Sequence, residues 1–111
     1  MIYRFRIILD TKEDILRDIE IEASATLEDF HYAIAQAFGF GGSEMASFYR
    51  TNKEWEQGDE IPLLDMDEGI VPMGQEQIDS VFDAENHHLI YLYDFLDLWT
   101  FFVELIEIGE P

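Results

Sequence analysis

The residues of this sequence best suited to chemistry are two carboxylates and a tryptophan near the C-terminus. Asp94, Asp97 and Trp99 lie in segment 93–99, between two long apolar runs. Such a carboxylate pair is able to serve in general acid–base catalysis. Charged groups beside a core must also be paired or hydrogen-bonded. The alternative is therefore structural, with one aspartate neutralising Arg17 and the other capping a turn, and this is the interpretation that we favour.

His31 is the second candidate, because it lies on the apolar face of a predicted helix. One interpretation of His31 is a ligand or proton-transfer group near Asp94 or Asp97. The other is a core histidine that is hydrogen-bonded to the backbone. We favour the core histidine, since its neighbours at helical spacing are apolar.

Metal-ligating residue types occur at two further places. His87 and His88 stand beside acids, and imidazole with carboxylate suits zinc or manganese. Adjacent residues in a strand point to opposite faces, so a polar turn is the better interpretation. The acidic segment 65–69 lacks the ligand spacing of a calcium loop. Phosphate-binding loops, nucleophile elbows and zinc-protease motifs are also missing, and we assign no catalytic, metal or cofactor site.

Arg17 links the candidate residues in one prediction. It is in phase with Ile15, Ile19 and Ile21, so its side chain is expected to enter the core. A buried guanidinium needs a carboxylate, and we predict a buried ion pair with Asp94 or Asp97. The candidate functional or structural cluster comprises Arg17, His31, Tyr93, Asp94, Asp97 and Trp99.

A hairpin and a helix are predicted to build the first half. Apolar residues alternate over 2–9 and 15–22, as in half-buried strands, and the arginines of the first strand face acids of the second. Thr26 is a helix cap, and apolar residues recur at helical spacing over 27–38. Gly39 ends the helix.

Strands dominate the second half. Residues 45–51, 88–94 and 98–108 are predicted strands, 52–74 a loop, and 75–83 a short helix. In the last strand Phe102, Ile106 and Ile108 are predicted to share one face. The fold class is α+β: a β-hairpin, a helix, then further strands in one mixed or antiparallel β-grasp-like sheet, with a short second helix. Residues 1–111 form a single domain.

Composition limits the possible partners. The net charge is −19, and all six Lys and Arg residues lie within 1–53. Such a charge repels phosphate backbones, so we expect no direct nucleic-acid binding. It would attract a basic protein or peptide, but acidic surfaces are also common as surfaces that only keep a protein in solution, and this is the interpretation of the charge that we favour. No apolar run approaches the roughly 18 residues of a membrane span. Cysteine is absent and the first residues do not resemble a signal peptide, so we expect a cytoplasmic location.

Four segments in order resemble the plasmid pRiA-type ORF-three-like family of uncharacterised α+β domains. Residues 14–19 (Asp-Ile-Leu-Arg-Asp-Ile) resemble its opening strand with an inward arginine. Residues 27–31 resemble its Leu-x-x-Leu/Phe-His helix, and residues 37–40 resemble the Met-Gly-Trp segment at the end of that helix. Glu44, Met45 and Phe48 resemble a His-Leu-x-x-Phe segment. Residues 93–99 (Tyr-Asp-Phe-Leu-Asp-Leu-Trp) resemble Tyr-Asp-Phe-Gly-Asp-x-Trp, the most specific of the four.

Three positions depart from the family pattern. Glu44 stands in place of a histidine, Leu96 in place of the signature glycine, and Phe101 where a histidine often follows the tryptophan. If the histidines form a ligand or metal site in relatives, this chain keeps only His31. The resemblance implies a β-grasp-like or related fold, a connection with mobile elements and no determined activity.

Three functions are consistent with the sequence. The first is a non-enzymatic interaction module whose acidic half binds a basic protein or peptide. The second is a carboxylate- or metal-dependent hydrolase that uses Asp94, Asp97 and His31. The third is a nucleic-acid mimic that occupies a basic DNA-binding protein through its carboxylates. We favour the first.

Overall fold

The chain opens with an antiparallel hairpin. The computed structural model describes residues 1–64 and 69–110 and places strand β1 at Ile2–Leu9 and β2 at Ile15–Glu22. Tyr3, Phe5, Ile7 and Leu9 of β1 are buried, because alternate residues of a strand point to the same face. The predicted hairpin is confirmed, and so are the cross-strand charges: Arg6 binds Asp18 through Nε at 3.1 Å and Nη2 at 3.2 Å.

Helix α1, Leu27–Ala37, begins with a complete capping box. The Asp29 N–H donates to Thr26 Oγ1 at 3.1 Å, and the Thr26 N–H donates to Asp29 Oδ2 at 3.1 Å. Two donors that the helix would leave without partners are thereby satisfied. The helix ends before Gly39, whose φ of 81° suits a residue without a side chain.

The remaining elements are β3 (Ala46–Arg50), β4 (Glu60–Pro62), a 3-10 turn (Met73–Gln75), α2 (Ile78–Val81), β5 (His88–Tyr93) and β6 (Trp99–Gly109). Strands β3, β5 and β6 were predicted. The predicted loop over 52–74 was incomplete, because it contains β4 and the start of the 3-10 turn. The predicted helix over 75–83 is one turn long. Asp65, Met66, Asp67 and Glu68, from the acidic segment compared with a calcium loop, lie outside the described residues.

The six strands found in the described residues form one antiparallel sheet in the order β2-β1-β6-β5-β3-β4. The α+β class with a single sheet is therefore confirmed. The finer β-grasp-like arrangement stays a prediction. In the described residues, no helix is both long and apolar enough to cross a membrane.

Both helices cover the inner face of the sheet, which we define as the face that carries Tyr3, Phe5, Ile7 and Leu9. The Phe30 ring of α1 lies 4.5 Å from Phe5 and 5.7 Å from Phe48, between centroids. Phe82, directly after α2, lies 4.7 Å from Phe5. This aromatic layer joins β1, β3 and both helices into one core.

The outer face, which carries Arg4 and Arg6, has a different cover. Trp55, from the loop between β3 and β4, lies 5.0 Å from the ring of Phe102 and 4.7 Å from that of His88. A long loop therefore shields part of a central strand from water. The sequence pattern could not place this tryptophan, because its contact depends on a loop conformation.

A β-bulge changes which residues of β6 share a face. Phe5 pairs with Leu105, but Arg4 pairs with Glu107, so Ile106 is the extra residue. Ile108 then lies opposite Tyr3, on the inner side. The prediction that Ile108 shares a face with Phe102 was wrong, because strict alternation does not survive an extra residue.

We expect Thr26→Ala to lower the free energy of unfolding by about 1 kcal/mol, because it removes half of the capping box. Urea unfolding followed by circular dichroism measures this loss. Ser24→Ala, two residues earlier and outside the cap, is the control and should change stability by less than about 0.5 kcal/mol. Equal losses in both variants would mean that the cap contributes nothing specific.

Candidate functional site

The turn between β5 and β6 holds the two aspartates in a fixed backbone conformation. The Asp94 N–H donates to Met45 O at 2.8 Å, and the Leu98 N–H donates to Asp94 O at 2.6 Å. Asp94 Oδ1 accepts a bond from the Leu96 N–H at 3.1 Å. Asp94 and Leu98 have φ angles of 63° and 52°. Asp94 therefore caps the turn, as predicted for one of the aspartates.

Asp97 lies beside Asp94 on the same turn. A hydrogen bond with Asp94 and the repulsion between the two carboxylates raise the pKa of Asp97. Repulsion of this kind is relieved by a proton or by a cation placed near both groups. The pair is therefore suited to receive a positive charge.

The turn also exposes four large apolar side chains that lie close together in the sequence. We name Phe95, Leu96, Leu98 and Trp99 the turn patch; their exposed fractions are 42%, 95%, 54% and 36%. Trp99 joins the patch to the core, because its ring lies 5.4 Å from Phe40, which lies 5.1 Å from Tyr93. The signature glycine is replaced by Leu96 without strain, since the positive φ angles fall on Asp94 and Leu98.

His31 is fully buried and pairs with a tyrosine. Its Nδ1 lies 2.5 Å from Tyr91 Oη, and within the described residues its Nε2 has no hydrogen-bond partner. Burial lowers the pKa of His31, and the backbone of Gly42 opposes this effect in part. Burial also raises the pKa of Tyr91, so its hydroxyl stays protonated. The core histidine that we favoured is present, but its partner at Nδ1 is a side chain rather than the backbone.

Two of the departures from the family pattern, Glu44 and Phe101, lie with the retained His31 around two tyrosines. His31 binds Tyr91, and the Phe101 ring lies 5.3 Å from the Tyr91 ring. The Glu44 N–H donates to Tyr93 Oη at 3.4 Å. Positions 31, 44 and 101 therefore lie in one neighbourhood. In this chain the apolar ring of Phe101 and the exposed carboxylate of Glu44 occupy two of these three positions.

Arg17 is separate from the rest of the candidate cluster. It lies on β2, which is separated from β5 by β1 and β6. The side chain is exposed, its Nη1 donates to Leu16 O at 2.9 Å, and its guanidinium lies 5.6 Å from the centre of the Phe38 ring. The predicted ion pair with Asp94 or Asp97 was wrong. Arg17 does lie on the inner face of the sheet, as its spacing predicted. Because β2 is an edge strand, however, its long side chain reaches water instead of entering the core.

The arrangement does not provide a shared reaction space for His31 and the aspartates. His31 is inside the core, whereas Asp97 is exposed on the turn. Two surface depressions, of about 440 and 360 Å³, are lined by residues 51–54 with 85–88 and by residues around Arg50 and Glu60. Neither contains His31, Asp94 or Asp97. No group of three metal-ligating side chains occurs within residues 1–64 and 69–110.

Two features of the site were not predicted from the sequence. The pairing of His31 with Tyr91 spans 60 residues, and only the register of β5 against its neighbours places them together. The exposure of Leu96 was not predicted, because an apolar residue is ordinarily expected to be buried. A signal was available, because Leu96 occupies the position of the signature glycine, which is typical of a turn.

We expect Arg17→Met to lower the free energy of unfolding by less than about 1 kcal/mol, the range of an exposed cation–π contact. Thermal unfolding measures the change, with Arg4→Met on the outer face as the comparison. A loss of about 3–5 kcal/mol would instead indicate a buried ion pair.

His31 should make stability depend on pH. Its pKa in the folded protein lies below the unfolded value, so the unfolded state binds the proton first as the pH falls. Relative to His31→Gln, the stability of the wild type should fall by at most about 1.4 kcal/mol per pH unit as the pH drops below about 6.5, until His31 is protonated in the folded protein as well. Above about pH 6.5 the difference should not depend on pH. Urea unfolding at several pH values measures the difference. His87→Gln is the control, and identical slopes for wild type and His31→Gln would contradict the assignment.

The comparisons with known proteins agree with this fold. The model of the family described as plasmid pRiA4b ORF-3-like protein matches residues 1–111. A protein of unknown function from Methanosarcina mazei Go1 has a similar crystal structure, with a TM-score of 0.83 and 24% sequence identity. The match covers 99% of this chain and 66% of that one, so the chain spans just under two thirds of its length. Among curated proteins none matches. The four motif segments and the match over the whole sequence agree, and the chain belongs to the plasmid pRiA4b ORF-3-like protein family.

Proposed function

We propose that this protein is a non-enzymatic interaction module that binds a basic protein or peptide through the turn patch. The observation that supports the proposal is the exposure of Leu96, at 95%, on a turn that also exposes Phe95, Leu98 and Trp99. Single exposed apolar residues are ordinary, but a group on one rigid turn is typical of a contact surface.

The turn patch is presented by a backbone that is already ordered. Hydrogen bonds at Asp94 hold both ends of the turn, and the contact between Trp99 and Phe40 attaches it to the core. A surface that is ordered before binding loses less conformational entropy when a partner arrives. This supports direct docking of a partner onto the turn.

Charge supports a basic partner. Asp94 and Asp97 lie on either side of Phe95 and Leu96 in the turn, and their mutual repulsion is reduced when a Lys or Arg side chain approaches. The net charge of −19 attracts such a partner over a longer distance. The partner that fits is a segment with an apolar side chain for Leu96 and a cation for the aspartates.

The two other candidate functions have less support. A hydrolase needs His31 beside the aspartates, and these groups lie in different environments. A nucleic-acid mimic needs rows of uncompensated acids, whereas Asp18 on the outer face binds Arg4 and Arg6. The plasmid setting in the family's description supports a role connected with mobile elements.

A defined basic peptide tests the turn patch. We expect an amidated, amphipathic Lys/Leu peptide to shift the amide resonances of residues 94–99 in an NMR titration. Leu96→Ser should weaken binding about tenfold or more, because burial of a leucine contributes about 1.5–3 kcal/mol. Raising NaCl from about 20 to about 300 mM should weaken it further, as salt screens the aspartates.

Leu64→Ser is the matched control, since Leu64 is 54% exposed and outside the turn. It should leave the affinity unchanged. Equal losses for Leu64→Ser and Leu96→Ser, or resonance shifts spread evenly over the acidic surface, would overturn the proposal.

A further inference from the structure

Strand β2 forms one edge of the sheet over its whole length. It has eight residues, Ile15–Glu22, and its pairing with β1 runs without interruption from Ile2 opposite Glu22 to Leu9 opposite Ile15. It contains no proline. The opposite edge, β4, has only three residues. A long regular edge is a template on which another strand can pair.

The backbone groups on the free side of β2 follow from its register. The Ala23 N–H donates to Met1 O at 3.0 Å, in line with the pairing of β1 and β2. In an antiparallel ladder the bonded residues alternate, so odd-numbered residues of β2 bond to β1. Even-numbered residues, Asp18 and Glu20 among them, direct their N–H and C=O groups away from the sheet.

The chain itself closes both ends of this free side. The Leu16 carbonyl accepts from Arg17 Nη1 at 2.9 Å, and the Glu22 carbonyl accepts from the Ala25 N–H at 3.0 Å. Between these two points, Asp18 and Glu20 have no backbone hydrogen bonds outside the sheet within the described residues. This leaves a short window in the middle of the edge.

The charged side chains on the outer face of this window are all acidic. Asp18, Glu20 and Glu22 lie on the outer face, and Ile19 and Ile21 lie on the inner face, partly buried against the core. Asp18 is neutralised by Arg4 and Arg6. In the described residues, Glu20 and Glu22 form no ion pair. The edge therefore offers unpaired carboxylates on one side and isoleucines on the other.

A second copy of this chain is a poor occupant. Two-fold antiparallel pairing of β2 with itself would oppose like charges in each register centred on residues 17 to 20. The opposed pairs would be Arg17 with Arg17, Asp18 with Asp18, Asp18 with Glu20, or Glu20 with Glu20. Directly opposed like charges destabilise a strand pair. Self-association through this edge is therefore disfavoured.

We propose that the middle of the β2 edge binds an extended segment of a basic protein by strand addition. Alternate Lys or Arg side chains of that segment face Glu20 and Glu22, and its apolar residues face Ile19 and Ile21. Main-chain hydrogen bonds to Asp18 and Glu20 hold the segment, while the charges select it. This site is separate from the turn patch and does not depend on the function proposed there.

The test uses a capped octapeptide of alternating Lys and Val, with a Glu/Val octapeptide as the charge-reversed probe. We expect the Lys/Val peptide to shift resonances of residues 15–22 and to slow amide exchange at Asp18 and Glu20. The Glu/Val peptide should not bind. Unchanged exchange at these two amides under saturating Lys/Val peptide would overturn the proposal.

Variants separate strand addition from general attraction. Glu20→Lys should weaken binding about tenfold, since opposed like charges replace an attractive pair. Glu54→Lys, on an exposed loop and with the same change in net charge, should weaken it less than about twofold. Equal weakening by both variants would overturn the proposal in favour of diffuse electrostatics.

A backbone variant completes the test. Glu20→Pro removes an outward N–H group without removing a bond to β1, so it should abolish the slowed exchange at Asp18 while the fold persists. If Glu20→Pro unfolds, the comparison of Glu20→Lys with Glu54→Lys is sufficient to test the proposal. Leu96→Ser should leave this peptide's affinity unchanged, which distinguishes failure of this site from failure of the turn patch.

Discussion

The contact of Phe30 with the middle of the sheet is the interaction on which the rest of the structure depends. Its ring packs against Phe5 and Phe48, from strands that are three places apart in the sheet. Because α1 covers the inner face in this way, the buried side of each strand is fixed. The positions of the turns at the ends of those strands are then fixed as well.

The helix is held in that place from its first residue. The N–H of Leu27 donates to Glu76 O, and the N–H of Ile78 donates to Ala25 O, so the starts of α1 and α2 bind one another. Both helices lie on one side, and the outer face is left to side chains and to Trp55. The asymmetry of the sheet explains why charges such as Arg4 and Arg6 are concentrated on one face.

Local patterns in the sequence predicted the hairpin and α1 well, because strand alternation, helical spacing and the Thr26 cap are short-range signals. They failed where position depends on distant partners. Arg17 has the phase of a buried residue, but β2 is an edge strand, and only the strand order reveals this. The His31–Tyr91 pair and the bulge at Ile106 likewise depend on cross-strand register.

The bulge in β6 has an evolutionary consequence. The pairing of β1 with β6 is regular from Leu9 to Phe5, and it is regular again from Arg4 to Ile2. Loss of the single codon for Ile106 would join the two halves into one continuous ladder and leave the core contacts of Leu105 in place. Bulges are conserved within families, however, so the extra residue is expected at this point in relatives as well. A relative that lacks it should be aligned with a gap at Ile106 rather than with substitutions at Glu107 and Ile108.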